Sequence, residues 1–168
     1  MLDRLYIKFD NLSRKHEVFK VETIGDAWMG VTNLATSQSD HAKRIAAFAV
    51  DAIQEAKCTL IDVEDSSRGF IKIRVGFHSG PVIASVVGSR NPKYTLIGDT
   101  VNTAARMESN SRPGRISCSS SAAKLLRDQA PEMSLISRGM ILVKGKGVME
   151  AFWVTEGDDV QVPDVENS

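Results

Sequence analysis

The sequence predicts a mixed fold of the α/β (α+β) class with one main sheet. Segments with apolar residues at helical spacing alternate along the chain with segments rich in β-branched and aromatic residues, as expected for helices packed on a sheet. Residues 70–78 carry apolar side chains at every second position, which is the clearest strand signal. At 168 residues the chain is long enough for one domain with a hydrophobic core and short for two. We therefore expect one domain over residues 1–156.

The first part of the chain predicts a helix, a hairpin and a second helix. Apolar residues recur at three- and four-residue steps between residues 2 and 16, the pattern of an amphipathic helix. Residues 18–31 mix β-branched and aromatic side chains around a glycine, which favours a hairpin whose tight turn carries Asp26. A Ser-Asp pair ending at Asp40 is a suitable cap for a helix over residues 42–56.

The central part predicts two strands and a helix. The strand over residues 70–78 is broken by Ser-Gly-Pro, and residues 82–87 return as a second buried strand, so we expect these two to form a hairpin. His78, at the end of the first strand, is expected to be a packed or hydrogen-bonded structural histidine. A short strand over residues 94–97 then leads into a helix that starts at Asp99.

The last part predicts a strand, a helix, two further strands and a tail. The expected elements are a strand at 116–118, a capped helix at 120–128, and strands around 135–143 and 151–154. Residues 157–168 hold four acidic side chains and little to bury, so an acidic disordered tail is expected there.

Composition excludes several classes of partner. Lys and Arg number 21, as do Asp and Glu, so no global charge favours nucleic acid or direct contact with an anionic membrane. No apolar run is long enough to span a bilayer, and no leader pattern is present. Two isolated cysteines favour a reducing, cytoplasmic setting, including that of a cytosolic domain of a membrane-bound protein.

Two short blocks carry the chemistry. The first is Lys-Val-Glu-Thr-Ile-Gly-Asp-Ala-Trp-Met over residues 20–29, and the second is Tyr-Thr-Leu-Ile-Gly-Asp-Thr-Val-Asn-Thr-Ala-Ala-Arg-Met-Glu over residues 94–108. Asn102 and Arg106 lie four residues apart, so they share one helix face and can reach a single ligand. Neither block is a generic glycine-rich loop.

Together with Val-Gly-Phe-His-Ser-Gly-Pro-Val (residues 75–82) and Val-Lys-Gly-Lys-Gly (residues 143–147), these blocks resemble the catalytic domain of class III nucleotide cyclases, the adenylyl and guanylyl cyclases. The similarity extends over roughly residues 2–154, with the motifs in the family's order. It implies a ferredoxin-like sandwich and a homodimer or heterodimer with sites at the subunit interface. There the 3′-hydroxyl of a nucleoside triphosphate attacks the α-phosphate, assisted by two Mg²⁺ or Mn²⁺ ions per complete site.

The resemblance also implies roles for individual residues. Asp26 matches a metal-binding carboxylate, although an aspartate after glycine is also common in ordinary turns. Asn102 and Arg106 match residues that orient the ribose and neutralise charge on the transferring phosphate. Lys144 matches a residue that contacts the terminal phosphates. The alternative interpretation is that Asn102 and Arg106 lie on an ordinary solvated helix face and that Lys144 is an ordinary solvated lysine.

Two positions bear on the choice of base. Glu22 lies where guanylyl cyclases carry glutamate and adenylyl cyclases lysine, and a carboxylate accepts from guanine N1–H and N2–H₂ but repels the acceptor N1 of adenine. Thr95 is ambiguous, because a hydroxyl donates to guanine O6 or accepts from adenine N6. The pair favours GTP and cyclic GMP, with ATP and cyclic AMP as the alternative.

The sequence departs from the family pattern at its start. The family's first strand, which bears another metal-binding aspartate, has no match, so we expect an N-terminally truncated fold that lacks this strand. This departure leaves open a non-catalytic cyclase-like partner or dimerisation subunit. A milder departure is Ser85, where glycine is usual.

Overall fold

The computed structural model describes residues 2–21, 25–88, 90 and 93–156. Glu22 and the tail predicted at 157–168 lie outside these residues. Helices and strands alternate along the described chain: α1 Leu2–His16, β1 Phe19–Val21, β2 Met29–Val31, α2 His41–Lys57, β3 Val75–Phe77, β4 Ile83–Val87, β5 Lys93–Ile97, α3 Asp99–Ser109, β6 Ile116–Ser119, α4 Ser120–Gln129, β7 Met133–Val143 and β8 Gly147–Glu156.

The main sheet has four strands in the order β3-β6-β8-β7. β3 and β6 are parallel, whereas β8 is antiparallel to both of its neighbours. β1 and β2 form the predicted antiparallel hairpin, with Asp26 in the segment between them. β4 and β5 form a further two-stranded unit. The predicted mixed α and β class is confirmed.

The hydrophobic core lies between one face of the main sheet and helices α2 and α4. Both helices present alanines to the sheet, and small side chains let a helix approach closely. A second cluster joins α1 to α2, where Phe9 and Phe48 surround Trp28, whose ring stacks on Phe48 with 4.9 Å between centroids. Trp28 is therefore a core residue. No helix in the described part of the chain combines the length and apolarity needed to cross a membrane.

The backbone N–H groups at the N-termini of α2 and α4 find their hydrogen-bond acceptors in different ways. Ser119 caps α4, and its hydroxyl accepts from the Ala122 N–H. Asp40 precedes α2 as predicted, but its carboxylate binds Arg44 instead of capping the helix. The first N–H groups of α2 donate to the side-chain oxygen of Gln129, at the end of α4. Gln129, from a distant helix, therefore provides the acceptor that the residues just before α2 do not provide.

The strand predicted over residues 70–78 is shorter in the structure. Only Val75–Phe77 forms β3, and Phe70 makes a single bridge to Leu60. Ile71 is nevertheless buried, so the alternation reflects burial of one side of an extended segment. The prediction of a long strand was wrong. Alternating apolar residues indicate that one side of an extended segment is buried, but a β-strand also needs a neighbouring strand in register to which its backbone can hydrogen-bond.

The predicted hairpin between residues 70–78 and 82–87 was also wrong. β3 pairs in parallel with β6, and β4 pairs with β5. The break at residues 79–81 includes Pro81, which lacks a donor and redirects the chain away from β3. β4 is not a buried strand, because Ile83 and Val86 are 68% and 55% exposed.

Helix α3 approaches β3 more closely than a side chain would allow. A β-carbon built at Gly76 would overlap backbone atoms of Met107 and Glu108, in α3. The ion pair between Arg74 and Glu108, with 3.1 Å between Nε and Oε1, ties the same two elements together. Glycine at position 76 therefore sets the distance between the sheet and α3.

We expect Gly76→Ala to lower the free energy of unfolding by about 1–3 kcal/mol or more, because the added methyl group meets backbone that has no other rotamer to adopt. Urea denaturation checks this. Gly69→Ala is the comparison, since Gly69 has open space around it but a φ of +77°, so it reports the backbone cost alone. A loss below about 1 kcal/mol in Gly76→Ala would contradict a packing role for Gly76.

Candidate active site

Asp26 is held at the turn between β1 and β2 with its side chain exposed. Gly25, with a φ of +91°, adopts the left-handed conformation that the turn needs. The Tyr6 hydroxyl, on α1, donates a hydrogen bond to the backbone carbonyl of Asp26. α1 therefore fixes the main chain of the turn and leaves the carboxylate available to a ligand.

Tyr6 is a hydrogen-bond donor at neutral pH. Burial raises the pKa of its phenol, and the carboxylates of Asp26 and Glu108 raise that pKa further. The hydroxyl therefore stays protonated, as donation to the Asp26 carbonyl requires.

The Asp26 carboxylate is suited to be one ligand of a hard cation such as magnesium. Magnesium prefers oxygen ligands and uses one or two protein carboxylates together with water and phosphate oxygens, so an exposed Asp26 fits as one such ligand. Among the described residues, no group of three or more His, Cys, Asp or Glu side chains is arranged to hold a metal ion. Substrate phosphates and water are the ligands that magnesium commonly takes beside such a carboxylate.

Helix α3 presents Asn102 and Arg106 on its outer side. Thr103 and Met107, about 100° further around the helix, are fully buried and anchor it, whereas Asn102 is exposed and Arg106 is partly exposed. Among the ion pairs of the described residues, none involves Arg106. The spacing of four residues between Asn102 and Arg106 places an amide and a guanidinium on one side of α3.

The turn between β7 and β8 separates the roles of two lysines. Lys144 is exposed, whereas Lys146 is partly buried and forms an ion pair with Asp99, the first residue of α3. This pair is not predictable from the sequence, because nothing near either residue indicates that the turn folds against α3. Lys146 anchors the turn, and Lys144 stays free of that contact.

Thr95 lies on β5 with its side chain exposed. β5 contacts β1, the strand that leads into Glu22. β5, which carries Thr95, is therefore a neighbour of β1, which ends one residue before Glu22. Glu22 itself lies outside the described residues. Asp26, Asn102, Arg106, Lys144 and Thr95 are all placed on turns, outer helix faces or exposed strands.

His78 has the structural role expected from the sequence. Its Nδ1 lies 2.6 Å from the Ser119 hydroxyl and also within hydrogen-bond distance of Ser121. Burial lowers the pKa of His78, with a smaller opposing effect from Asp99. The ring joins β3 to the start of α4.

The chain is similar to nucleotide cyclases of known family. Residues 1–156 match the family described as Adenylate and Guanylate cyclase catalytic domain. The chain is 44% identical over 156 residues to guanylate cyclase soluble subunit beta-2 of Rattus norvegicus, an alignment covering 93% of this chain and 22% of that protein. It is 41% identical over 164 residues to receptor-type guanylate cyclase gcy-28 of Caenorhabditis elegans, covering 98% of this chain and 13% of that protein.

A solved structure agrees with the sequence comparison. The guanylate cyclase domain of RhGC from Catenaria anguillulae, in complex with GTP, superposes with a TM-score of 0.82 at 40% identity, covering 93% of this chain and 82% of that one. The chain thus spans less than a quarter of the two curated relatives named above but most of a single cyclase domain. Because the family match covers residues 1–156 and the fold agrees with a solved guanylate cyclase domain, the chain belongs to the adenylate and guanylate cyclase catalytic domain family.

Proposed function

We propose that this domain converts GTP to cyclic GMP and pyrophosphate. The observation that carries the proposal is α3, which presents Asn102 and Arg106 on one side that reaches solvent, while Asp26 is exposed on a turn fixed by Tyr6. Two named relatives are guanylate cyclases, and the RhGC domain was solved with GTP, which supports a guanine nucleotide here. Glu22 supports it further, because its carboxylate accepts from guanine N1–H and N2–H₂.

In this proposal each exposed polar residue has one task. Asn102 orients the ribose so that the 3′-hydroxyl faces the α-phosphate. As the new oxygen–phosphorus bond forms and the bond to pyrophosphate breaks, Arg106 neutralises the charge that develops on the transferring phosphate. Lys144 holds the terminal phosphates, which leave as pyrophosphate. The ion pair between Lys146 and Asp99 keeps the turn that carries Lys144 beside α3.

We further propose that Asp26 is a ligand for Mg²⁺ or Mn²⁺, two ions being needed for each complete site. Such ions supply Lewis-acid stabilisation of the phosphate oxygens and activation of the attacking hydroxyl. The exposed carboxylate of Asp26, on a turn fixed by Tyr6, is suited to receive an ion together with the substrate phosphates.

The proposed active form is a dimer with composite sites, either a homodimer or a heterodimer with another cyclase domain. Exposed apolar side chains support this, since contiguous apolar surface commonly marks protein interfaces. β4 and β5 expose Ile83, Val86 and Ile97, and the β7–β8 hairpin exposes Met140, Leu142 and Val148. The free cysteines, Cys58 and Cys118, suit the reducing cytoplasmic setting in which GTP is available.

The full-length protein is expected to prefer GTP over ATP, and Glu22→Lys combined with Thr95→Asp is expected to shift the preference toward ATP. A well-placed set of base contacts discriminates by about 1–3 kcal/mol, or roughly 5- to 150-fold. The ratio of kcat/KM for the two nucleotides, measured from cyclic GMP and cyclic AMP production, tests the shift.

Lys144→Ala is the control for that experiment, since a phosphate contact should weaken use of both nucleotides alike. Faster production of cyclic AMP than of cyclic GMP by the wild-type protein would favour the adenylyl alternative, for which Thr95 provides a suitable acceptor. Turnover of neither nucleotide, even with a second cyclase domain present, would favour a non-catalytic dimerisation subunit.

A further inference from the structure

The β4–β5 hairpin places a second hydroxyl beside Thr95. Ser85 is its direct cross-strand partner in the antiparallel pair. Side chains of directly opposed residues point to the same face, with β-carbons about 4.5–5.5 Å apart. Two hydroxyl groups at that spacing lie close enough to bind one atom between them or to bind each other.

The hydroxyl pair lies on the face of the hairpin opposite Leu96, here called the outer face. Val82 and Leu96 line a cavity of about 190 Å³ against β2 and α3, whereas Ala84 and Val86, on the same side as Leu96, are exposed. On the outer face Thr95 is exposed and Ser85 is half-buried. The outer face is therefore accessible to a ligand or partner.

The same outer face carries an apolar pair next to the hydroxyls. Ile83 pairs with Ile97 two residues along each strand, which puts both on the face of Ser85 and Thr95. They are 68% and 53% exposed. An apolar pair adjoining two hydroxyls suits the edge of a purine, which has an apolar ring and polar groups at its rim.

We propose that Ser85 is a further specificity-determining residue, which joins its hydroxyl to that of Thr95 to bind the six-position oxygen of guanine. The inference rests on the proposed function, because it assumes that Thr95 faces the base. A carbonyl oxygen has two lone pairs and accepts from two hydroxyls at once, and each hydroxyl supplies one donor. The Thr95 hydroxyl by itself can donate to guanine or accept from adenine. Glu22 selects guanine, whose six-position oxygen is an acceptor. The Ser85 hydroxyl then provides a second donor to that oxygen.

The test uses the full-length protein and two analogues of GTP that each change one group. 6-Thio-GTP keeps N1–H and the two-amino group but replaces the six-position oxygen by sulfur, a weak acceptor. Inosine triphosphate keeps that oxygen but lacks the two-amino group. Ser85→Ala should lower kcat/KM for GTP and for inosine triphosphate by about 3- to 10-fold, the usual value of one neutral hydrogen bond. It should change kcat/KM for 6-thio-GTP by less than about twofold.

Two variants separate this role from a structural one. Ser85→Thr keeps the hydroxyl and should retain the wild-type discrimination between GTP and 6-thio-GTP. Ala84→Gly loosens the same strand but lies on the other face of the hairpin, so it should affect all three nucleotides equally. Equal losses for GTP and 6-thio-GTP in Ser85→Ala, with GTP still preferred over ATP, would overturn the inference alone. Preference of the wild-type protein for ATP would overturn the guanylate cyclase assignment and this inference together.

Discussion

Arg106→Ala and Asn102→Ala are each expected to slow cyclisation by about 10²-fold or more, since loss of one preorganised donor to developing charge typically costs that much. Because both side chains would act on the transition state, ground-state nucleotide binding should weaken far less. Single-turnover kinetics separates the two effects. The loss should appear in the chemical step, and nucleotide affinity should change little.

The structure makes this prediction specific to chemistry. Asn102 and Arg106 lie on the outer side of α3, while Thr103 and Met107 anchor the helix from its buried side. Neither alanine variant should therefore unfold the domain, and its melting temperature should stay near that of the wild type.

Lys124→Ala is the matched control, because Lys124 is an exposed cation on α4, which packs with α2 on the main sheet. It should leave turnover unchanged. Wild-type turnover in the Arg106 or Asn102 variant would assign that residue to an ordinary solvated helix face.

A polypeptide of these 168 residues alone is expected to be nearly inactive with Mg²⁺ and GTP, yet able to dimerise. In the described part of the chain, no group of three or more His, Cys, Asp or Glu side chains is arranged to hold a metal ion at Asp26 or elsewhere. One carboxylate holds magnesium loosely and does not fix two ions at the separation of about 3.5–4 Å that such chemistry uses. Cyclic GMP production and sedimentation of the purified polypeptide measure the two properties.

Among the described residues, β2 and β3 each pair with a single neighbouring strand. Extending the polypeptide upstream through an aspartate-bearing strand should restore activity, and replacing that aspartate by alanine should abolish it again. Robust cyclisation by the 168-residue polypeptide, with its mass confirmed, would show that another carboxylate completes the site.

The sequence predicted local structure where the chain itself determines it. The spacing of Leu5 and Phe9 among charged residues specifies α1, and the glycine before Asp26 specifies the turn of the β1–β2 hairpin. Both depend on neighbours within a few residues. The same holds for Asn102 and Arg106, whose common helix face follows from their spacing.

Contacts between distant segments were not predictable in this way. Strand alternation at residues 70–78 did not reveal that β3 pairs with β6, because pairing depends on where the chain goes after Pro81. The ion pair between Lys146 and Asp99, and the donation from Tyr6 to Asp26, likewise join elements far apart in sequence. The candidate roles of the site residues came from motif resemblance, and the structure adds which of these residues are exposed and what holds them in place.

The hydrogen bond from Tyr6 has a consequence for experiments on the turn. Its acceptor is the main-chain carbonyl of Asp26, which every amino acid possesses, so exchanging the side chain at this position leaves the tether intact. The position of the turn and the charge of the Asp26 side chain can therefore be changed separately. Asp26→Asn removes the charge of the carboxylate, whereas Tyr6→Phe removes the hydrogen bond that attaches the turn to α1. Asp26 is thus a position at which a change in metal requirement can be assigned to one functional group.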